Sequence, residues 1–300
     1  MRLLWIFLFS VTGSLGLRTP LHLQEVFTQH RKQRNPLTTL SAADLTQDLC
    51  ATGLCTGLAT GLIAIFTKLA KDDIIDPKLC RKLIHTVSAP AFVIVLPLFS
   101  SADLETRITA SFLPALQFIR LGLSGLKKKK KTTSDDTQGT TGGAIVDAKS
   151  DFNLADAVSR SGKREEALGG PMIYVTVLFI SLLAFFRDSP IGVVAIAQMA
   201  VGDGLADIFG RKFGQIKWFF DKNKSYAGTL AFITGAFLAS CALLQWLVFT
   251  GCLSFDVVGH LGQLLLISIL CALVELVPGL DDNITVPVAA TVLSYFLLLR

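Results

Sequence analysis

Two carboxylates, Asp203 and Asp207, stand four residues apart at the end of the apolar run Ile191–Val201. If a helix continues through them, that spacing puts both on one face. Five basic residues follow at once, Arg211, Lys212, Lys217, Lys222 and Lys224, with Gly210 and Gly214 among them and Gly228 just beyond. Paired acids suit a divalent metal ion, and a basic, glycine-containing loop suits phosphate groups. Such charges are costly near lipid, so the pattern points to function. The stretch Gly202–Gly228 reads as the nucleotide and metal end of an active site.

Two further clusters carry similar chemistry. Arg81, Lys82 and His85 open an apolar segment in RKLIHT. On a helix Arg81 and His85 share a face, so both can reach a phosphate or a reacting hydroxyl; a basic membrane-edge anchor is the structural alternative. Glu275 lies inside another apolar run and is followed by Asp281, Asp282 and Asn283 in VELVPGLDDNITVP. That group is poor in cations and invites one. Asn283 can equally cap a helix whose N-terminus favours the acids, but capping does not explain Glu275. Lys224–Ser225 has the form of a phosphate contact at a helix start, with Ser225 as cap and Gly228 permitting close approach. The glycines of GDGLADIFG do not follow GxGxxG and no strand precedes them, so a dinucleotide loop is excluded. Neither a GxxxxGK[ST] loop nor the HRD and DFG of protein kinases is present.

The elements that must position these residues are hydrophobic. Half of the 300 residues are apolar (51%) and only 17% are charged, which indicates an all-α integral membrane protein. Eight apolar spans are predicted: 49–67, 83–99, 108–123, 171–186, 190–209, 227–250, 261–277 and 284–299. If all eight cross, the connections 68–82, 126–170, 210–226 and 279–283 share one face and hold 19 Lys and Arg, against two in the opposite connections. This asymmetry supports the eight-span bundle and gathers every polar motif on one face. It also explains the net charge of +5 without nucleic acid, since the basic residues lie in short loops. A secondary transporter is disfavoured because its ion-binding acids would lie near the midplane.

Residues 1–16 have a signal-peptide layout, with Arg2, an apolar stretch and small residues after it. Residues 17–48 follow; their first part, to Pro36, has Arg18, Arg31, Lys32, Arg34 and a single acid, Glu25, a transit-peptide composition. A membrane domain is expected over 49–300, with a polar, disordered insert at 127–150 that includes five consecutive lysines, and a short amphipathic segment over 152–167. The six cysteines form no CxxC pair with a histidine partner, so they read as small hydrophobes and not as a zinc site.

The segments RKLIHTVSAPAF (81–92), SRSGKREEALGGPMIYV (159–175), RDSPIGVVAIAQMAVGDGLADIFGRKFG (187–214), KNKSYAGTLAF (222–232) and VELVPGLDDNITVP (274–287) together resemble the phytol kinase group of the polyprenol kinases, which also include farnesol and dolichol kinases. The resemblance spreads over most of residues 50–300 and leaves out the targeting region and the lysine-rich insert. It implies a multi-helix enzyme of a plastid membrane, or otherwise the endoplasmic reticulum and endomembranes. Such an enzyme moves the terminal phosphate of CTP, or another nucleoside triphosphate, to an isoprenoid alcohol in the bilayer, with membrane lipids around it. Phytol is the implied alcohol, giving phytyl phosphate for tocopherol and related prenyl-lipid synthesis; farnesol and dolichol are the alternatives. The nucleotide motif carries over onto Asp203, Asp207, Gly210, Lys224, Ser225 and Gly228.

Residue chemistry and resemblance lead to the same expectation. Phosphoryl transfer needs positioning and charge neutralisation above all. Asp203 and Asp207, with Asp281, Asp282 and Glu275, would hold Mg²⁺ or a similar divalent cation. Gly202, Gly204, Gly210, Arg211, Lys222, Lys224, Ser225 and Gly228 would bind the nucleotide, and Arg81 and Lys82 would supply further phosphate contacts. Catalysis is assigned to Asp203, Asp207, Asp282 and His85, with the proton acceptor among the carboxylates and His85. The rival chemistry is a CTP-dependent lipid cytidylyltransferase, which would release pyrophosphate where a kinase releases CDP.

Overall fold

The computed structural model describes residues 42–126, 169–279 and 281–299. The targeting segments, the lysine-rich insert and the amphipathic segment expected over 152–167 lie outside these residues, apart from the first turns of α1. The described chain is helical: α1 Ala42–Lys71, α2 Pro77–Val95 with a 3₁₀ turn Leu96–Leu98, α3 Leu104–Leu126, α4 Gly170–Ala184, α5 Pro190–Ile196, a π-helical stretch Ala197–Gly202, α6 Asp203–Phe213, α7 Tyr226–Phe249, α8 Leu261–Glu275 and α9 Asp282–Leu298. All eight apolar runs therefore emerge as helices, with α5, the π stretch and α6 forming one continuous rod. Among the described residues, four rods are long and apolar enough to cross a membrane: Ala42–Lys71, Pro77–Leu98, Pro190–Phe213 and Tyr226–Phe249. The apolar helices α4, α8 and α9 are shorter, at 15, 15 and 17 residues.

Helix starts on the charged face follow capping chemistry. Asp76 accepts from the Lys78 backbone N–H ahead of Pro77, Ser225 from that of Gly228, and Asp281 from that of Asn283. Each cap satisfies donors that would otherwise face the bilayer edge unpaired.

The rod α5–π–α6 is the centre of the bundle, with α7 along α6 and the π stretch, α9 along α5, and α2 against α6. Its buried part, Ile191–Ala200, is lined by small and branched residues that meet Phe232, Ala236, Leu244, Ile267 and Val286. Gln198 lies fully buried there and donates to Ser268 Oγ at 2.9 Å and Ser240 Oγ at 3.3 Å, tying the rod to α8 and α7. The wider π turn interrupts the rod immediately before Asp203, a place where such turns mark functional sites.

The face away from the charged motifs is closed by polar clamps. Asp48 of α1 accepts from the Ser100 backbone at 2.6 Å, Ser100 Oγ at 3.0 Å and Thr106 Oγ1 at 2.9 Å. Arg187 donates to the carbonyls of Leu96 and Phe99, both at 2.8 Å. Arg107 spans the end of α4 to reach Leu183, Ala184 and Asp188. Arg187 and Arg107 thus close helix C-termini, where orphan carbonyls need donors.

Candidate active site

A cavity of about 1030 Å³ opens at the charged face and is lined by residues of α1, α2, α3, α4, α6, the loop after α6, α7, and the α8–α9 turn. Its polar end holds Lys82, His85, Asp203, Asp207, Lys224, Glu275 and Asp282; its other arm holds Ile63, Phe92, Leu113, Leu121, Val175 and Leu178. A charged chamber thus continues into an apolar one.

The polar end is assembled from four elements distant in sequence. From α2, Lys82 Nζ donates to Asp203 Oδ2 at 3.0 Å and stands 4.0 Å from Asp207 Oδ2. One α2 turn on, His85 Nε2 lies 3.5 Å from Asp203 Oδ2 and 3.1 Å from the Met199 carbonyl, a geometry in which Nε2–H donates to that carbonyl. The i, i+4 placement of the two aspartates on α6 is as the spacing requires, since Lys82 faces both. Lys224, from the loop before α7, donates to Glu275 Oε1 and to Asp282 Oδ2 at 3.4 Å. Burial alone would lower the Lys224 pKa, but the carboxylates of Glu275, Asp282 and Asp203 outweigh it and hold the ammonium above the ordinary lysine value.

Carboxylate oxygens of Asp203, Glu275 and Asp282 lie within 4.8 Å of one another. Three hard oxygen donors at that separation fit a divalent cation such as Mg²⁺. Asp207 and Asp281 stand outside that trio. Asp207 is engaged by Arg211 at 2.9 Å, and Asp281 caps α9, though both line the cavity. Arg81, Gly210, Arg211, Ser225, Gly228 and Asn283 also line it.

Other positions take packing roles. Gly202 has the Phe232 ring against it, 2.9 Å from where a Cβ would be, and a Cβ on Gly204 would collide with Thr86 Oγ1; neither lines the cavity. Gly228 lets α7 cross α6, its Cβ position lying 2.9 Å from the Ala206 carbonyl. Lys222 is exposed and outside the cavity wall. The loop instead brings Lys217, Asp221 and Asn223 to the wall.

The junction of the two chambers was not singled out in the sequence. Tyr174 of α4 packs its ring tilted against His85 with ring centroids 4.2 Å apart, donates to the His85 carbonyl at 2.9 Å, and meets Ser88 Oγ at 3.1 Å. Its one sequence signal was its place in the segment GGPMIYV. Gln117 faces the apolar arm, and its Oε1 is buried with no hydrogen-bond partner among the described residues.

The arrangement can hold a polyphosphate with a cation beside the hydroxyl of a lipid alcohol. Comparison with known proteins finds relatives named as prenol kinases. The chain is 36% identical over 262 residues to a probable chloroplastic phytol kinase of Triticum aestivum, spanning 86% of this chain and 80% of that one. It is 35% identical over 272 residues to chloroplastic phytol kinase 1 of Arabidopsis thaliana, spanning 89% and 83%. It is 33% identical over 253 residues to the chloroplastic farnesol kinase of Arabidopsis thaliana, spanning 83% and 75%. No family model matches the chain. No solved structure matches it either. Chloroplastic relatives and apolar spanning helices make it an integral protein of a plastid membrane. The chain belongs to the phytol kinase group of prenol kinases.

Proposed function

We propose that the protein phosphorylates phytol, taking the terminal phosphate of CTP or another nucleoside triphosphate and releasing the diphosphate. The observation that carries this reading is the continuity of one cavity from the Lys82–Asp203–Glu275–Asp282 cluster into a buried apolar arm. A soluble metabolite would not need that arm, and a lipid without phosphoryl chemistry would not need the cluster.

In this reading the prenyl chain lies among Ile63, Leu113, Leu121 and Leu178, and its hydroxyl sits at the Tyr174–His85 neck. Phosphates of the nucleotide face Lys82, Lys224 and Lys217. Asp203, Glu275 and Asp282 would hold Mg²⁺, which when bound neutralises phosphate charge. The alcohol oxygen attacks the terminal phosphorus, the bond to the bridging oxygen of the diphosphate breaks, and the alcohol proton passes to an acceptor at the polar end, where the carboxylates and His85 lie. His85, held through Met199, and Tyr174 orient the hydroxyl. The loose transition state asks little of the base and much of the surrounding cations. The product, phytyl phosphate, would serve tocopherol and related prenyl-lipid synthesis.

The test is product analysis with protein in vesicles, nucleotides labelled in the terminal phosphate, and phytol, farnesol and a dolichol as acceptors. Label in the alcohol with release of nucleoside diphosphate is expected, phytol and CTP giving the highest kcat/KM. Release of pyrophosphate with a CDP-lipid product would establish the cytidylyltransferase instead.

A further inference from the structure

The loop between α6 and α7 has a second side that the active site does not use. Ile216 is 73% exposed and Phe219 90% exposed, and Phe213, Phe220 and Tyr226 are each more than 40% exposed. So much exposed apolar surface on one short segment marks an interaction site. The loop does not stand upright from the bundle. Trp218 stacks on Tyr226 at 3.9 Å, and its indole N–H donates to Thr229 Oγ1 at 3.0 Å, one turn inside α7. Backbone bonds from Trp218 N to the Lys224 carbonyl and from Tyr226 N to the Ile216 carbonyl lock this fold-back. The loop therefore lies along the flank of a spanning helix, at the depth of its first turn. Its apolar side continues from the flank of the spanning rod, where the exposed Phe209 and Phe213 rings are 5.6 Å apart. Exposed Lys212 and Lys222 accompany the aromatic residues.

We propose that residues 213–226 are an interfacial hook that beds in the headgroup layer of an anionic bilayer and thereby holds the mouth of the active site. Aromatic rings at the level of a helix end, flanked by lysines, match the chemistry of that layer. The opposite side of the same hook carries Lys217, Asn223 and Lys224 into the cavity wall, so seating in the membrane fixes those residues. The occupant is lipid; a protein partner would not require the hook to share the depth of the spanning helices.

Trp218 serves as the probe. In the full chain with Trp5→Phe and Trp246→Phe, reconstituted in phosphatidylcholine–phosphatidylglycerol vesicles, shallow brominated phosphatidylcholine is expected to remove roughly half of the Trp218 emission and deep bromines less. If those changes disturb the bundle, the same quantity is read as the difference between the parent chain and Trp218→Phe. Equal emission with and without brominated lipid, together with full access to aqueous iodide, would overturn the proposal. So would disulfide cross-linking of two copies through Phe219→Cys in a background lacking the native cysteines, at vesicle dilutions where copies meet only by stable association. Ile216→Ser with Phe219→Ser should lower the shallow quenching and raise the vesicle KM several-fold while leaving kcat in detergent unchanged. Retained quenching and an unchanged vesicle KM in that variant would refute the hook. The quenching arms need no catalysis, so they stand apart from the prenol kinase reading on which only the KM arm rests.

Discussion

The structure separates two aspartates that their spacing alone treats as equals, and the separation has a measurable consequence. Asp203 belongs to the three-carboxylate group, its side chain is 10% exposed, and it receives Lys82 at 3.0 Å. Asp207 lies outside that group and bonds Arg211 at 2.9 Å, an i, i+4 pair whose arginine side chain is 45% exposed. Asp203→Asn keeps the shape but removes a charge aimed at the reacting centre, a change that costs on the order of 10²–10³ in rate. Asp207→Asn loses chiefly a half-exposed pair worth about 0.3–0.5 kcal/mol, so its turnover should fall only a few-fold. Folding should survive Asp203→Asn because Lys82 retains Asp207 at 4.0 Å as a partner. The assay is transfer from terminally labelled nucleotide to phytol in vesicles, with kcat per folded protein and a Mg²⁺ titration for each variant. A large loss and a shifted metal response are expected in Asp203→Asn alone. Equal losses in the two variants would refute the division, and full activity in both would remove the cluster from catalysis.

Lys224→Met leaves Glu275, 6% exposed, and the partly exposed Asp282 without their ammonium, and an unsatisfied group of this kind costs about 1–3 kcal/mol; thermal scans should show a lowered Tm that added Mg²⁺ restores more strongly than in the parent. Gly204→Ala forces a Cβ onto Thr86 Oγ1 and should reduce the yield of folded protein, with Thr86→Ala added to it recovering part, as read by size-exclusion profile. Leu113→Trp fills the buried end of the apolar arm, where Leu113 and Phe92 are each 5% exposed, so kcat/KM for phytol should fall at least about tenfold more than for geraniol in a competition assay.

Hydropathy made the helices legible because each apolar run must bury its backbone polar groups internally. Loop charge then put the polar motifs on one face, and they do converge in one cavity. Assignment within the motifs was less legible. Gly202 and Gly204 sit beside Asp203 in sequence, but what they touch is Phe232 and Thr86, residues from α7 and α2 that no local pattern reveals. Lys222 and Lys217 are equivalent in a loop read as a string; only the fold-back of Trp218 onto Tyr226 turns one outward and the other to the cavity wall. Asp281 and Asp282 are adjacent, and one is taken by capping while the other faces Lys224. The π turn before Asp203 leaves no hydrophobic signature, since small residues such as Ala197 and Ala200 fit either turn.

The charge balance of the cavity explains why so polar a site survives at a membrane boundary. Five basic and six acidic side chains line it, and its most enclosed charges are paired: Lys82 with Asp203, Lys224 with Glu275 and Asp282. An unpaired ion there would cost several kcal/mol of desolvation, which these contacts largely offset. The same balance argues against tight binding of a bare nucleotide, whose phosphates would add negative charge to a wall already slightly acidic. In the proposed reaction Asp203, Glu275 and Asp282 would hold a divalent cation bound with the nucleotide, and Lys82 and Lys224 would then be free to face the phosphates. Exchange of partners then replaces creation of new buried charge. A neutral prenyl chain in the adjoining arm would add none, so in the proposed reaction the alcohol and the nucleotide would meet without either chamber changing character.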